Sequence, residues 1–148
     1  PLLEAQCILG MEEKEYVATS FMAFEKGHPL VKEFLNLYEH LSFLDEKGQI
    51  IAGTNVAKLT KMLKEKGFVQ ENHYQELENG IQIYPKEFFS PYDYINCHYN
   101  ITENSYCVHH FAVSWMSKKE QVKKGIKKRI VKILGPEKMN GIREKLKR

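Results

Sequence analysis

The sequence predicts a mixed α/β domain followed by a basic helical tail, and three observations carry that prediction. Short apolar or β-branched runs bounded by Gly or Pro have strand character, Ile81-Gln82-Ile83-Tyr84 before Pro85 being the clearest. Other stretches place apolar residues at steps of three and four behind Pro or Thr/Asn openings, which is the signature of one-sided helices. Charge is also divided: residues 118–148 hold 13 Lys/Arg and 3 Glu, a net of +10, whereas residues 1–117 hold 9 basic and 16 acidic residues, a net of −7. The overall +3 conceals this split.

Taken in order, residues 1–11 form a short apolar stretch that reads as a strand or a segment cut from its partners, with Gly10 as a stop. Residues 12–24 open with the acidic Glu12-Glu13-Lys14-Glu15 and continue Tyr16-Val17-Ala18-Thr19-Ser20-Phe21-Met22-Ala23-Phe24; periodicity leaves strand and helix start both open. After the Gly27-His28-Pro29 break, Pro29 suits a first helical position, and Leu30, Phe34, Leu37, Tyr38 and Leu41 make an apolar face for a helix to about His40. His28 and His40 flank that helix as a cap and a solvated imidazole. Thr54 or Asn55 caps a second helix with Leu59, Met62 and Leu63 inward and Gly67 closing it. Phe68-Val69 and 81–84 read as short strands separated by a polar connection that leaves His73 exposed. Phe88-Phe89-Ser90-Pro91-Tyr92-Asp93-Tyr94 is an aromatic loop, for which core packing is the safer expectation over a platform for a flat ligand.

The stretch with most chemistry is Ser105-Tyr106-Cys107-Val108-His109-His110-Phe111-Ala112-Val113-Ser114-Trp115, which gathers two histidines, a serine and the sole tryptophan. Tyr106 to Val113 is predicted to be a buried strand. Alternation then puts His109 on one face with Cys107 and Phe111, and His110 on the other, so at most one imidazole faces any one site. The tail repeats Val122, Ile126, Ile130 and Leu134 (with Ile133) against Lys123, Lys124, Lys127, Lys128 and Lys132, and Gly135-Pro136 breaks it. That pattern fits a helix packed on the body or one lying on an anionic membrane. Nucleic acid is not expected, because no aromatics are interleaved with the lysines.

Several classes fall away. At 148 residues, 43% hydrophobic and 11% aromatic, the chain has the means for a packed core. No apolar run nears the roughly 20 residues that span a bilayer. Three cysteines without metal-ligand spacing suit reduced thiols and a cytoplasmic location. Glycine-rich phosphate loops, His-Glu-x-x-His and Gly-x-Ser-x-Gly are missing, and Cys107 beside His109 on an apolar strand is a poor setting for a thiolate.

In order along the chain, Ala23-Phe24-Glu25-Lys26-Gly27-His28-Pro29, Gly53-Thr54-Asn55-Val56, Ile83-Tyr84-Pro85-Lys86-Glu87-Phe88-Phe89-Ser90-Pro91 and the 105–115 stretch resemble the C-terminal half of glycosyltransferase family 32. These are the capsular-polysaccharide and α-mannosyltransferase-like sugar transferases. His-His-x-x-x-Ser-Trp behind the Tyr-Pro block is the specific part, and the resemblance covers residues 1–117. It implies the C-terminal portion of a GT-A, Rossmann-like catalytic domain in 1–117, with 118–148 as a basic tail of amphipathic helices. It implies a retaining hexosyltransferase of bacterial polysaccharide synthesis, using a nucleotide-diphosphate sugar donor and a saccharide or lipid-linked saccharide acceptor. A divalent metal, Mn²⁺ or Mg²⁺, would be held by His109, with His110 as alternate. Ser114 and Trp115 would donate to the donor diphosphate. The family's Asp-x-Asp is missing from this chain, and Asn55-Val56 replaces its usual Gly-Pro after Thr. The expectation is therefore a fragment, inactive alone, from a protein on the inner face of the membrane. The rival expectation is a non-catalytic α/β interaction domain that binds a membrane or acidic partner through its tail.

Overall fold

The computed structural model describes residues 2–39, 41–42, 44–48, 54–111, 117–135, 138–139 and 141. It is a mixed α/β arrangement around a four-stranded sheet of order β2-β1-β4-β3. Strand β1 (Cys7–Met11) pairs antiparallel with β2 (Val17–Phe24) and parallel with β4 (Ile81–Tyr84), and β4 pairs antiparallel with β3 (Gln75–Leu77). The undecided 12–24 stretch thus resolves as a 3-10 turn (Glu13–Glu15) and a strand.

β1 is buried on both faces along its whole length. Cys7, Leu9 and Met11 meet Leu30 of helix α1 (Pro29–Asn36) and Leu59, Met62 and Leu63 of helix α2 (Asn55–Glu65), with Ile81 and Ile83 of β4 completing this core. The opposite face is aromatic. Gly10 is no stop: it lies inside β1 beneath Phe89, where any Cβ would come within 2.8 Å of the ring. Phe89 in turn stacks on Phe21 of β2, centroids 3.8 Å apart. Burial of Cys7 pushes its thiol up to about 12, so the cysteine is an inert core residue.

The helix ends follow from local chemistry. Thr54 caps α2 through its hydroxyl, which accepts from the Ala57 amide at 3.2 Å. At the other end Gly67 takes φ +96°, and the amides of Gly67 and Phe68 bond to the carbonyls of Lys64 and Leu63, so Phe68 folds back into the core. That closure is why Phe68-Val69 is not the expected strand. Helix α1 stops at Asn36, short of the expected His40, and Leu37, Tyr38 and Leu41 are exposed rather than part of an inward face. His40 lies outside the described residues. His28 fulfils the capping role: buried to 3% exposure, its Nδ1 accepts from the Leu30 amide at 3.3 Å and its Nε2 meets the Asn79 carbonyl at 3.0 Å. Since Nδ1 must accept there, Nε2 carries the proton and donates. Strand β3 lies in what reads as a polar connection, and His73 next to it is exposed as expected.

Beyond the sheet, the aromatic stretch contains one helical turn, α3 (Lys86–Phe89), and a two-stranded hairpin of β5 (Tyr92–Asp93) and β6 (His98–Tyr99). Phe89, Pro91 and Tyr92 are buried, so this stretch is core rather than an exposed platform. Helix α4 (Lys118–Leu134) forms as the tail pattern predicts and ends at Gly135 with φ +82°. Its apolar stripe does not pack on the body, however: Val122, Ile126, Ile130, Ile133 and Leu134 are exposed, and Val131 is buried. No helix of the described residues is long and apolar enough to cross a membrane.

Candidate functional site

The parallel pair β1/β4 gives the sheet a carboxyl end, the edge at which ligands bind in open α/β sheets. Glu12 and Glu13 follow β1 there, and Lys86 follows β4. The Glu13 carboxylate and the Lys86 ammonium form an ion pair whose side chains are mostly buried. Lys86 is aimed there by its backbone. Pro85 has no side chain able to cap α3, so Asn72 Oδ1 reaches in and accepts from the Lys86 amide at 2.8 Å. Burial raises the pKa of Glu12, the negative charge of Glu13 raises it further, and Lys86 opposes both. The pKa of Tyr94, beyond β5, is raised by burial and then by the charges of Glu12, Glu13 and Asp93.

The histidine stretch runs along this assembly. Residues 105–111 form no strand, which corrects the expected 106–113 strand over its described part. The physical reason is where its amides bond. The amides of Tyr106 and Cys107 both point at one acceptor, the Phe88 carbonyl, at 2.8 and 3.5 Å, instead of alternating along a partner. Phe111 then turns out of extended geometry altogether, with φ +48°. The segment is held by side chains. Glu87 accepts from Thr102 Oγ1 at 3.2 Å and from Asn104 Nδ2 at 3.1 Å, while Ser105 Oγ donates to the Glu87 carbonyl at 2.7 Å. Tyr106 lies nearly parallel to Phe88, 6.2 Å between centroids.

The two imidazoles have different surroundings. His109 is half-buried and sets its ring edge-on to Phe111 at 4.2 Å. Burial lowers its pKa, and charge on His110 lowers it further, both favouring the neutral imidazole. His110 is exposed, and its Nδ1 is 3.1 Å from the Tyr99 hydroxyl on β6. Phe111 links the two halves of the region, with Tyr94 at 4.7 Å and Tyr92 at 6.4 Å. His109 meets Phe111 and His110 meets Tyr99, and Tyr92 joins both into one ring cluster, so the expected division of the two imidazoles between the faces of a strand does not apply here.

Ser114 and Trp115 lie outside the described residues, so their expected role at a diphosphate has no geometry here. The metal expectation was tested on the donor set. Among the described residues no three His, Cys, Asp or Glu side chains converge to hold an ion. His109 offers one neutral nitrogen and His110 another with its Nδ1 engaged, and a site requires more ligands than that. The residues described therefore do not by themselves fit a metal. Cys107 is poorly set for a nucleophile: although the residue is exposed, desolvation raises its thiol, and its Sγ is directed at the Phe89 carbonyl at 3.5 Å.

Sequence reasoning found the histidines and missed Glu87, Lys86, Tyr99 and the Glu12–Glu13 edge. Each of these acts through a partner distant in the chain, and no local pattern marks such a pairing. No protein-family model, curated protein or solved structure matches this chain.

Proposed function

We propose that this chain supplies part of the donor-binding site of a glycosyltransferase that moves a hexose from a nucleotide-diphosphate sugar to a saccharide acceptor. The observation that carries the reading is the seating of the His109 segment on α3, the turn that follows β4: the Tyr106 and Cys107 amides bond to the Phe88 carbonyl, and Phe111 ties His109 to Tyr94. The motif His109-His110-x-x-x-Ser114-Trp115 adds the residue types that a charged diphosphate needs around it. In this reading the fold is the C-terminal portion of a GT-A domain and the reaction is retaining. A neutral imidazole at His109 suits a ligand of a divalent ion, and that ion, Mn²⁺ or Mg²⁺, would counter the diphosphate charge with ligands additional to the residues described. The chain's own contribution is to hold His109 neutral in an apolar setting and to fix the approach of residues 105–111 by way of Glu87.

The test is an assay of the full-length polypeptide with a panel of nucleotide-diphosphate sugars and Mn²⁺, followed by His109→Ala, His110→Ala and Ser114→Ala. Loss of one donor to the leaving group should lower kcat about 100-fold in Ser114→Ala, and His109→Ala should do at least as much. Full turnover in both histidine variants would refute the assignment. Metal-independent turnover would remove the ion from it.

A further inference from the structure

The feature that the proposed function does not use is the outer face of α4. At 100° per residue, Val122, Ile126, Ile130, Ile133 and Leu134 fall within an arc of about 120°. All five are exposed, from 39% at Leu134 to 81% at Ile133. Val131 lies outside that arc and is 4% exposed. The helix is therefore tethered by a side other than the one carrying its apolar stripe, and the stripe is left in water.

The residues around the stripe select its occupant. The helix holds eight basic residues against one acidic, a net of +7. Helical spacing puts Lys119 and Lys123 inside the apolar arc itself, with Lys118 and Arg129 along one edge and Lys127 along the other. A protein partner's core would have to desolvate the two embedded ammonium groups. A second copy would bring two helices of +7 face to face. Nucleic acid would use the lysines but not the isoleucines, and the helix has no aromatic side chain to stack on bases. A lipid surface accommodates both features. Isoleucines enter the boundary between headgroups and acyl chains, while lysine stems lie along it and carry their ammonium groups up to lipid phosphates.

We infer that α4 is an interfacial anchor that lays its Val122–Ile126–Ile130–Ile133 stripe on an anionic bilayer, parallel to the membrane plane. This concerns where the protein sits and stands independently of the reaction proposed above. The electrostatic part comes from lysines drawn to the negative surface, each strengthening binding by about fivefold.

Flotation of the purified protein with phosphatidylcholine vesicles, with and without phosphatidylglycerol, tests the inference. Binding should require the anionic lipid and weaken as salt is raised. Ile126→Glu with Ile130→Glu should abolish it while far-UV circular dichroism stays unchanged, because both side chains are exposed. Lys119→Gln with Lys123→Gln, which keeps the stripe, should weaken it about 30-fold. Equal binding to neutral vesicles, or none to either, overturns the inference. So does retention by the isoleucine variant, which would leave charge alone. A dimer that Ile126→Glu dissociates would assign the stripe to a second copy, and salt-sensitive binding of unrelated DNA in place of vesicles would assign the helix to nucleic acid. Neither result would touch the sugar-transfer assay, so the two proposals fail separately.

Discussion

Replacing Gly10 by alanine would test whether the sheet and the histidine segment form one mechanical unit. The new Cβ would lie 2.8 Å from Phe89 Cδ2 and 3.2 Å from Phe89 Cβ. Phe89 has little room to retreat, because it is 2% exposed and its ring is stacked 3.8 Å from Phe21. Relief must come from moving α3 outward. Overpacking of this kind costs about 1–3 kcal/mol. Loss of unfolded-state freedom on going from Gly to Ala returns about 0.4–1 kcal/mol. The net is a destabilisation of about 0–2.6 kcal/mol with a midpoint of about 1.3, or a fall in Tm of about 3–5 °C at that midpoint for a chain of this size. Because the Tyr106 and Cys107 amides hang on the Phe88 carbonyl, the same displacement should shift the imidazole resonances of His109 and His110 in an NMR spectrum. Thermal melts of Gly10→Ala, Phe89→Leu and the double variant complete the measurement. The cost in the double variant should fall below the sum of the singles, since leucine gives the new methyl space. A Gly10→Ala protein that melts at or above the parent temperature, or costs that simply add, would refute the reasoning.

Two further outcomes follow from the fold. His28→Ala removes the cap of α1, worth about 1 kcal/mol, and the bond to the Asn79 carbonyl, worth about 0.5–1.5 kcal/mol since Asn79 is exposed to water, so urea denaturation should show a loss of about 1.5–2.5 kcal/mol. His28→Asn should recover the capping part alone, and equal losses in both variants would contradict the dual role. Glu12 has a raised pKa in the folded state, so its favourable contribution is present below the unfolded carboxylate pKa and is lost as pH rises through the folded value. Glu12→Gln should therefore raise Tm at neutral pH, with the gain vanishing in acid; a gain independent of pH would show that ionisation is not its source.

The parts of this fold that were legible in the sequence are those set by neighbours in the chain. The cap at Thr54, the inward Leu59, Met62 and Leu63, and the closure at Gly67 are local chemistry, and each lies where the pattern puts it. Strands are different, because a strand exists only through its partner. Gln75-Glu76-Leu77 is short and polar, and it becomes β3 through pairing with β4. Residues 105–111 have every strand-forming residue type and join no ladder. The site divides in the same way. His109 and His110 stand out by composition, whereas Lys86 meets Glu13 across 73 residues and Glu87 meets Asn104 across 17. Such pairings are products of the fold and leave no spacing to read. The amphipathic stripe of α4 was legible as a pattern, but periodicity gives only that a face is apolar, and the exposure of that face became known from the structure.

The anchoring of the 102–105 turn on Glu87 has a consequence for how this region can change. The chain leaves α3 at Phe89, makes the β5/β6 hairpin, and returns to the same turn of α3, where Ser105 and Tyr106 bond to the carbonyls of Glu87 and Phe88. A second tie, from the Asn100 amide to the Pro91 carbonyl, draws the neck of the excursion together. Both ends of the loop are thus fixed at one place, and the closure entropy of a loop grows only slowly with its length. Added length between Asp93 and His98 would leave the strand register beneath it unaltered, whereas Asn96, bonded back to Asp93, and Tyr94, packed on Phe111, are set by their contacts. The aromatic wall that faces His109 is in this sense mounted on a frame of its own, closed at the neck and independent of the sheet's register.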